Sequence, residues 1–421
     1  MTLRLGLVGA GGMGLRHAHG YIELRKHFDS LELVAVCDRH APAAQFVAAD
    51  VEKATGRRPK IFTDFNRMLD EAKLDALDIV TDTRMHHTFA VAAFEHGVHV
   101  LTEKPMGVTI KACQLMRQAA DKHRRVLSVA ENYRRDPMNR FARALIQAGA
   151  IGDPYFLVRV GLSGGSALMH NTGWRAMKSR AGSIIIEQGV HDADLMNFFL
   201  GDIESVYAET GLFSRTRKRI GMSPNLAKFY SHRVEDAFAG QQTVELDQED
   251  SAFAVLRFAS GAIGNFAMSN ASHGHSVGVD TIHGSLGTMV PPPSRSGKTP
   301  LIRLEGREQP LTGEEMLSLV PDWELDDITA PFWGGRRRMA AYEMPFAQID
   351  ASLIAVEYQE LAVAVTTGRP VEVGPEVGMK ALGLAYAALE SGMSHRPVRM
   401  ADILEGTVEG YQREVNAANG L

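Results

Sequence analysis

The sequence predicts an α/β protein in which a doubly wound parallel sheet at the N-terminus precedes an α+β region with a large, mostly antiparallel open sheet. Three observations predict this fold. Strand and helix signals alternate up to about residue 130, a glycine-rich segment follows the first apolar run, and alternating apolar and polar residues replace the apolar runs after about Arg134. The 421 residues exceed what one ordinary core holds, so two domains are expected.

The segment before Arg134 contains short apolar runs separated by helical stretches. The runs are at Leu5–Val8, Leu33–Cys37, Ala76–Thr81, His99–Thr102 and Val126–Ala130. The helical stretches are near Gly14–Leu24, Ala41–Thr55, His86–His96 and Ile110–His123. Alternation at this spacing indicates βαβ units, and the apolar character of the runs indicates strands that helices cover on both faces. We therefore predict a first domain over residues 1–133.

The remainder of the chain, residues 134–421, has the pattern of an α+β domain. A helix over Asn139–Ala148 precedes alternating segments that are typical of an antiparallel sheet with one solvated face. These segments are Tyr155–Val160, Ile203–Thr210, Gln242–Glu245, Phe253–Phe258, Ala262–Ser269 and Gly278–His283. Residues 291–344 open with three prolines and have weak periodicity, so we expect loop and short elements there. Two further helices are predicted near Phe346–Thr366 and Pro375–Ser391.

The composition excludes several classes of function. With 50 acidic and 45 basic side chains the formal net charge is −5, which argues against nucleic-acid binding as the main role. No segment approaches the roughly 20 apolar residues of a membrane helix, and the N-terminus lacks the pattern of a signal peptide. Two cysteines are too few for a disulfide framework. We therefore expect a cytoplasmic protein.

A metal site is not expected. His273-Gly-His275 and the pair at His86 and His87 are the histidine groupings closest to a ligand pattern, and no third ligand with suitable spacing accompanies either.

The glycine-rich segment is a candidate cofactor loop. Gly9, Gly11 and Gly14 form the pattern G-x-G-x-x-G between the first predicted strand and the helix that follows. Gly9 suits a tight turn, Gly11 lets the backbone approach a pyrophosphate, and Gly14 lets the helix pack closely on the sheet. Together with Gly12 and Met13, these residues are the expected phosphate-binding part of a Rossmann domain. The alternative is a glycine-rich turn that binds no ligand.

Two residues at the end of the second predicted strand bear on the choice of cofactor. Asp38 lies 24 residues after Gly14, and such a carboxylate accepts hydrogen bonds from the ribose hydroxyls of NAD. Arg39 follows it and would attract the 2′-phosphate of NADP. Asp38 favours NAD, and the presence of Arg39 leaves NADP open.

Two further motifs give the chain a resemblance to a known family. The first is Glu103-Lys104-Pro105, which follows the fifth predicted strand. The second is Glu187-Gln-Gly189-Val-His191-Asp-Ala-Asp194. The chain resembles the Gfo/Idh/MocA oxidoreductases, which carry Glu-Lys-Pro and Asp-x-Gly-x-His-x-x-Asp at these places.

The match to the family pattern has two departures. Glu187 replaces the aspartate of the second motif and adds one methylene to its reach. Upstream of Glu-Lys-Pro the family has Thr-Pro-Asn-x-x-His, of which this chain keeps Thr81 and His86 but has Asp82 and Thr83 in the middle. Residues 291–344 do not map onto the family and are expected to be an insertion.

The resemblance implies roles for particular residues. His191 would be the acid/base, since imidazole titrates near neutrality, and Lys104 would hydrogen-bond the reacting oxygen and stabilise its developing charge. Glu187 would orient the substrate or Lys104, and Asp194 would bind a substrate hydroxyl or brace His191. Beyond the glycine loop, the expected cofactor contacts are Asp38, Arg39, Thr81, His86, Glu103 and Lys104. The expected substrate contacts are Lys104, Tyr133, Arg134, Trp174, Arg175, Glu187, His191 and Asp194.

The resemblance also implies a function and an assembly. We expect hydride transfer between a nicotinamide and a secondary alcohol carbon of a sugar, glycoside or cyclitol, in a homodimer or homotetramer that pairs through the C-terminal sheet. One alternative is a redox-neutral glycosidase that keeps NAD bound, and another is an NAD-binding sensor without turnover.

Overall fold

The computed structural model describes residues 2–165, 167–168, 173–219 and 242–421. They form two large sheets, with a small third sheet beside the second one. The predicted α/β class, with a parallel N-terminal sheet and a mostly antiparallel C-terminal sheet, is confirmed.

The N-terminal sheet has six parallel strands in the order β3-β2-β1-β4-β5-β6. Its strands are β1 (Leu3–Val8), β2 (Leu31–Cys37), β3 (Lys60–Phe62), β4 (Ala76–Ile79), β5 (His99–Glu103) and β6 (Leu127–Ala130). The helices between them are α1 (Gly12–Leu24), α2 (Ala41–Thr55), α3 (Phe65–Ala72), α4 (His86–Glu95) and α5 (Ile110–His123), with a 3-10 turn over Thr83–Met85 before α4. The sequence did not predict β3 or α3, because β3 is a three-residue edge strand in which only Phe62 is buried.

The C-terminal sheet has eight strands in the order β16-β15-β14-β7-β13-β12-β9-β17. Strands β7 and β13 are parallel, and the other neighbours are antiparallel. Its strands are β7 (Pro154–Leu162), β9 (Ile203–Gly211), β12 (Ser251–Phe258), β13 (Ile263–Ser269), β14 (Val277–Gly284), β15 (Gly287–Val290), β16 (Leu301–Leu304) and β17 (Val398–Arg399). The small third sheet contains β8 (Ala167–Leu168), β10 (Thr216–Arg219) and β11 (Thr243–Glu245).

Eight helices belong to the described part of the chain after β6. They are α6 (Pro137–Gln147), α7 (Lys178–Ala181), α8 (Ile184–Leu200), α9 (Gly313–Leu319), α10 (Phe346–Thr367), α11 (Pro375–Ser394), α12 (Met400–Glu405) and α13 (Gln412–Ala418). Two 3-10 turns, Gly173–Ala176 and Ala330–Trp333, complete the elements. Helix α11 packs on β9 and on α8, which positions α8 above the carboxyl ends of the parallel strands.

Helix α10 returns to the N-terminal sheet and packs beside α1. The hydroxyl of Tyr358 donates to the buried carboxylate of Asp78 in β4, and Ser30 donates to Gln359 at 2.6 Å. Apolar side chains of α10 and of β1 belong to the same buried cluster. One hydrophobic core therefore joins the six-stranded parallel sheet to helix α10.

Residues 291–344 consist of loops and short elements, as their weak periodicity predicted. Strand β16 extends the large sheet, and α9 begins with a capping box between Thr312 and Glu315. Phe332 and Trp333 are buried, which anchors the segment to the main core.

One face of the C-terminal sheet points away from the core, as the alternation predicted. This open face carries large apolar side chains as well as polar ones. The exposed apolar residues on its strands include Tyr155, Tyr207, Phe253, Val255, Ile263 and Val279.

Candidate active site

Two cavities meet at the carboxyl ends of the parallel strands. The larger, of about 630 Å³, lies between those strand ends, helix α8 and the C-terminal sheet. The smaller, of about 330 Å³, lies over the glycine loop. The residues that line both cavities are Met13, Val80, Thr81, Trp174 and Arg175. The two cavities are therefore adjacent, as a dinucleotide and its reaction partner would require.

The glycine loop has the geometry that a pyrophosphate needs. Gly9 has φ +98°, and a Cβ on it would lie 2.3 Å from the carbonyl oxygen of Val80. A Cβ on Gly14 would lie 2.0 Å from the carbonyl oxygen of Gly9, so only glycine permits this contact between turn and helix. Helix α1 begins at Gly12, and its N-cap residue, Gly11, supplies no side-chain cap. Its first N–H groups and the positive end of its dipole thus face the smaller cavity, where an anion binds favourably.

Asp38 lies at the end of β2 and lines the smaller cavity together with the exposed Arg39. One carboxylate oxygen of Asp38 accepts from the backbone N–H of Ala10 at 2.7 Å, and the other accepts from that of His40 at 2.9 Å. These bonds fix the carboxylate beside the glycine loop, where a ribose would lie. The donor set around this cavity therefore fits a dinucleotide.

His86 was an expected cofactor contact, but it does not lie at either cavity. It is 1% exposed. Its Nδ1 lies 3.0 Å from the carbonyl oxygen of Pro105, and its Nε2 lies 3.3 Å from that of Thr81. Burial lowers the pKa of this imidazole, so it is neutral. His86 ties the Thr81 segment to the turn after β5.

Lys104 leaves β5 and reaches across the larger cavity to helix α8. Its Nζ donates to the backbone carbonyl of Glu187 at 2.8 Å and lies 3.7 Å from Glu187 Oε1. Its backbone N–H donates to Glu103 Oε2 at 2.8 Å. The ammonium group is therefore fixed between the strand end and the first turn of α8.

Glu187 is held by Arg175 and keeps one oxygen free. The guanidinium of Arg175 donates to Glu187 Oε1 at 3.1 and 3.0 Å and stacks on the ring of Trp174 at 4.5 Å. Burial raises the pKa of Glu187, but Arg175 and Lys104 outweigh it and hold that pKa below its ordinary value. Glu187 is thus a carboxylate, and within the described residues its buried Oε2 has no hydrogen-bond partner.

His191 lies one turn after Glu187 on the same face of α8 and lines the larger cavity. Its Nδ1 is 2.7 and 2.8 Å from the two carboxylate oxygens of Glu131. Its ring stacks on that of Tyr133, with centroids 4.0 Å apart and planes 8° from parallel. Burial, with Lys104 and Arg295 nearby, holds the pKa of His191 well below its ordinary value, so the imidazole is neutral at neutral pH.

Arg134 and Asp194 lie outside the larger cavity. The guanidinium of Arg134 donates to both carboxylate oxygens of Asp194, and the residues are 7% and 1% exposed. Neither lines the cavity. The structure therefore brings these two expected substrate contacts to each other, and it brings Lys104, Tyr133, Trp174, Arg175, Glu187 and His191 to the cavity.

A buried network behind Lys104 was not predicted. His17 on α1 places Nδ1 2.8 Å from Asp78 Oδ2 and Nε2 3.1 Å from Glu103 Oε1. Burial lowers the pKa of His17, but the two carboxylates outweigh it and raise that pKa well above its ordinary value. Burial likewise opposes ionisation of Glu103, but the bonds from His17 lower its pKa to about 2. The sequence signal was a histidine in the first helix and an aspartate inside an apolar strand.

Arg295 is a side chain of the larger cavity that the sequence did not predict. It has φ +61°, donates to the Tyr133 hydroxyl at 3.1 Å and lies 3.3 Å from Asp350 Oδ1. Asp350 is also held by Arg16, which lines the same cavity. Arg295 belongs to the segment that the sequence assigned to an insertion, so no motif pointed to it.

Within the described ranges, no group of three or more His, Cys, Asp and Glu side chains is arranged to hold a metal ion. In the same part of the chain, no helix combines the length and the apolar character that a membrane crossing needs.

Comparison with known proteins gives the chain its relatives. Levoglucosan dehydrogenase from Pseudarthrobacter phenanthrenivorans is 28% identical over 292 residues, which cover 69% of this chain and 73% of the relative. Inositol 2-dehydrogenase 2 from Saccharopolyspora erythraea is 25% identical over 389 residues, covering 90% of this chain and 99% of the relative. Glycosyl hydrolase family 109 protein 1 from Akkermansia muciniphila is 30% identical over 155 residues, covering 36% of this chain and 31% of the relative.

Among solved structures, levoglucosan dehydrogenase in complex with NADH and levoglucosan has the same fold, with a TM-score of 0.73 at 22% identity over 95% of this chain and 100% of that one. Residues 3–131 match the oxidoreductase family with an NAD-binding Rossmann fold, and residues 139–290 match the GFO/IDH/MocA C-terminal domain. These matches cover the whole N-terminal sheet and six of the eight strands of the C-terminal sheet, and the chain therefore belongs to the Gfo/Idh/MocA oxidoreductase family.

Proposed function

We propose that this protein is an NAD-dependent dehydrogenase that oxidises a secondary alcohol of a sugar, glycoside or cyclitol, or reduces the corresponding ketone. The observation that carries this proposal is the convergence of Lys104, Glu187 and His191 on one cavity that adjoins the glycine-loop cavity. The dehydrogenases among the relatives support the substrate class.

The side chains divide the chemistry of alcohol oxidation between them. NAD, held by the glycine loop and Asp38, would supply the acceptor for the hydride of the alcohol carbon. His191 accepts the hydroxyl proton, because its ring is neutral at neutral pH and therefore has a lone pair to offer. Lys104 donates a hydrogen bond to the reacting oxygen and stabilises the negative charge that develops on it. Glu187 accepts from a neighbouring substrate hydroxyl through its free Oε2.

The cofactor contacts follow from the smaller cavity. We propose that Gly9, Gly11, Gly12 and Met13 hold the pyrophosphate and that Asp38 binds the adenosine ribose. Thr81, Glu103 and Lys104 would lie beside the nicotinamide. Asp38 favours NAD because a carboxylate repels the 2′-phosphate of NADP, whereas Arg39 leaves some affinity for NADP. Dissociation constants for NADH and NADPH measure this preference, and tighter binding of NADPH would contradict it.

The test of the function is a spectrophotometric screen of the purified protein. NAD and NADP are supplied separately with a panel of sugars, glycosides, cyclitols and their keto forms, and reduced nicotinamide is followed by absorbance. We expect turnover with one substrate class and loss of turnover in Lys104→Met. Turnover in Lys104→Met at the rate of the wild-type protein would contradict the mechanism. If no compound of the panel is turned over although NADH still binds, the protein lacks the proposed activity.

A redox-neutral glycosidase is the second candidate, and the match to a glycosyl hydrolase family 109 protein favours it. Such an enzyme would oxidise its sugar transiently, release the aglycone and return the hydride. Chromogenic glycosides distinguish the two functions. Release of the aglycone without net formation of NADH would indicate the hydrolase, whereas NADH that accumulates in proportion to product would indicate the dehydrogenase. Binding of NADH without either reaction would indicate a sensor.

We also propose that the open face of the C-terminal sheet pairs two subunits. Phe253, Val255 and Ile263 are each about half exposed there, at 50%, 51% and 52%. An apolar face of this kind stabilises an interface once a second copy covers it. Light scattering after gel filtration would measure the assembly, and Val255→Lys should shift a dimer or tetramer towards a smaller species. A wild-type monomer would contradict this proposal.

The remaining organisation is proposed on the same basis. Residues 1–133 would form the dinucleotide-binding domain, and residues 134–421 would form the substrate-binding and oligomerisation domain with an insertion over 291–344. A cytoplasmic location is supported by Cys37 and Cys113, which are both buried free thiols.

A further inference from the structure

The carboxylate that contacts the candidate acid/base belongs to neither motif of the family resemblance. Glu131 lies directly after β6 (Leu127–Ala130), and both its carboxylate oxygens are within 2.8 Å of His191 Nδ1. The side chains of the two residues are 4% and 16% exposed. The pair is therefore nearly dry on the glutamate side, where a hydrogen bond to an ionised group is strong.

Glu131 is itself rigidly held. Its Oε1 accepts from the backbone N–H of Tyr133 at 3.0 Å, and its backbone carbonyl accepts from the buried guanidinium of Arg135 at 2.8 Å. The ring of Tyr133 stacks on the imidazole of His191, so the carboxylate fixes the edge of the imidazole while the phenol fixes its plane. Arg295 in turn holds the Tyr133 hydroxyl.

The other carboxylates of helix α8 have different partners. Glu187 Oε1 is bound by Arg175, Asp192 Oδ1 accepts from Arg159 at 2.8 Å, and Asp194 is bound by Arg134. Within the described part of the chain, Glu131 is therefore the carboxylate that contacts His191 Nδ1. The aspartate position of the motif, occupied here by Glu187, does not hold the imidazole.

We propose that Glu131 is the positioning residue of His191: its carboxylate keeps the ring proton on Nδ1, leaves the lone pair of Nε2 for the substrate hydroxyl, and stabilises the imidazolium that forms when Nε2 takes the proton. This inference rests on the proposed function. A carboxylate that orients a catalytic imidazole acts through geometry and tautomer, and it does not itself accept the substrate proton.

The surrounding charges set the pH range in which the pair works. Burial raises the pKa of Glu131 to about 7, while the N–H of Tyr133 and the charges of Lys104 and Arg134 act in the opposite direction. Glu103 at the end of β5 also raises it, and Glu357 on α10 interacts with it. Since the carboxylate form accepts the Nδ1 proton, the tautomer is fixed above about pH 7 and is lost as Glu131 becomes protonated below it.

The first readout is the tautomer itself, which requires no turnover. Imidazole nitrogens of the 15N-histidine-labelled protein are recorded at pH 8, and the signal of His191 is assigned by its loss in His191→Gln. We expect the Nδ1–H form in the wild-type protein. The Nε2–H form would overturn the proposal whatever the substrate is.

The second readout is kinetic, with the substrate that the screen identifies. In Glu131→Gln we expect kcat for alcohol oxidation at pH 8 to fall by roughly 10²–10⁴, the range in which loss of an orienting carboxylate disturbs a catalytic histidine. Glu131→Asp should restore part of this loss, and the dissociation constant of NADH should stay unchanged in both variants. We also expect kcat/KM of the wild-type enzyme to rise through about pH 7, and this rise should be absent in Glu131→Gln.

The matched control is Glu390→Gln. Glu390 is also buried, at 2% exposure, but it lies on α11, where its Oε1 accepts from the backbone N–H of Tyr411 at 2.9 Å. An amide keeps that acceptor, so kcat should not change. Full kcat in Glu131→Gln, or an equal loss in both variants, would overturn the positioning role. A wild-type protein without dehydrogenase activity but with the Nδ1–H tautomer would instead refute the proposed function alone.

Discussion

The two walls of the larger cavity are held in place in different ways. The strand wall consists of Lys104 and Tyr133, which follow the parallel strands β5 and β6. The helix wall consists of Trp174, Arg175, Glu187 and His191, which belong to α8 and to the 3-10 turn before it. The strand wall rests on buried ion pairs inside the core, whereas Arg175 of the helix wall bonds to Glu187 at the edge of the cavity.

Because of this difference, we expect substitutions near the two walls to affect different properties of the protein. Behind the strand wall, the side chains of His17 and Asp78 are both 0% exposed, so an unpaired charge there has no access to water. The side chains of Arg175 and Glu187 are 14% and 7% exposed and border an open cavity that water can enter. Changes behind the strand wall should therefore cost folding free energy, and changes to the Arg175–Glu187 pair of the helix wall should mainly alter substrate binding.

The largest expected effect is that of His17→Ala on stability. Removal of the imidazole leaves Asp78 and Glu103 without their shared partner, and breaking such a buried pair costs about 3–5 kcal/mol of unfolding free energy. Urea unfolding at pH 6 measures this loss. The matched control is His19→Ala, because His19 pairs with Asp50 at 2.8 Å with both side chains more than a third exposed; its loss should stay below about 1 kcal/mol. Equal losses in both variants would erase the proposed contrast.

The same network predicts how stability depends on pH. The folded-state pKa of His17 is raised, so its contribution is complete below its ordinary value of 6.5 and is lost as the pH rises through the folded-state pKa. The pKa of Glu103 is lowered to about 2, so its contribution is present above its ordinary value of 4.5 and is lost as the pH falls towards 2. The difference in unfolding free energy between wild type and His17→Ala should thus be greatest between about pH 4.5 and 6.5. A difference that does not change from pH 3 to 9 would show that charge plays no part.

Lys104→Met is next, with its effect on turnover. Loss of the hydrogen-bond donor to the reacting oxygen should lower kcat by about 10²–10³. Because Lys104 lies at the surface of the cavity and not in the core, unfolding free energy should change by less than in His17→Ala. Steady-state kinetics and urea unfolding of the same preparation test both statements. A stability loss as large as that of His17→Ala would make Lys104 part of the structural network.

Arg175→Ala should have a smaller effect, and on binding. Without Arg175 the carboxylate of Glu187 loses its strongest stabilising charge, so its pKa rises and its orientation is no longer fixed. We expect KM for the sugar or cyclitol to rise about tenfold, which corresponds to about 1.4 kcal/mol, with a lesser change in kcat. Arg58→Ala is the control, since Arg58 follows α2 and pairs with Glu52 in an exposed position that lines neither cavity. A fall in kcat without a change in KM would place Arg175 in the chemical step.

The smallest effect is expected for Asp82→Ala. Arg180 on α7 bonds to Asp82 beside the smaller cavity, and the two side chains are 19% and 13% exposed. This ion pair connects α7, which lies directly before α8, to the lining of the smaller cavity. Its loss should therefore speed the release of NADH. Water and salt screen such a pair, so the rate should rise by no more than about fivefold. Stopped-flow displacement of NADH measures the rate, with Asp70→Ala as an exposed control; a slower release would contradict the link.

The scaffold of the strand wall could be predicted, because parallel strands bring their carboxyl ends to one edge of a sheet. Lys104 and Tyr133 follow two such strands, and the structure places both at the cavity. The helix wall could be predicted only from the family resemblance, since a Gly-x-His-x-x-Asp pattern alone does not show which surface a helix faces. Family membership confirms that resemblance.

The residues that were missed, and Asp194 whose expected place at the cavity was wrong, depend on contacts between distant parts of the chain. Asp194 shares a helix face with Glu187 but lies two turns, about 10 Å, further along α8, where Arg134 reaches it. Asp78 lies in a short strand whose other residues are apolar, and only the packing of α1 brings His17 to it. Arg295 reaches the cavity from a segment with weak periodicity. Local patterns carry no information about such pairings.

The return of α10 to the first sheet has a consequence for synthesis on the ribosome. The strands β1 to β6 are complete by residue 130, but Tyr358 and its neighbours, which cover Asp78 and pack beside α1, are translated more than two hundred residues later. The nascent dinucleotide-binding half therefore leaves the exit tunnel with one apolar flank uncovered and with only His17, not yet Tyr358, available to bond Asp78. For that interval it offers a natural site for a chaperone that binds exposed apolar surface, and only the late arrival of α10 closes it.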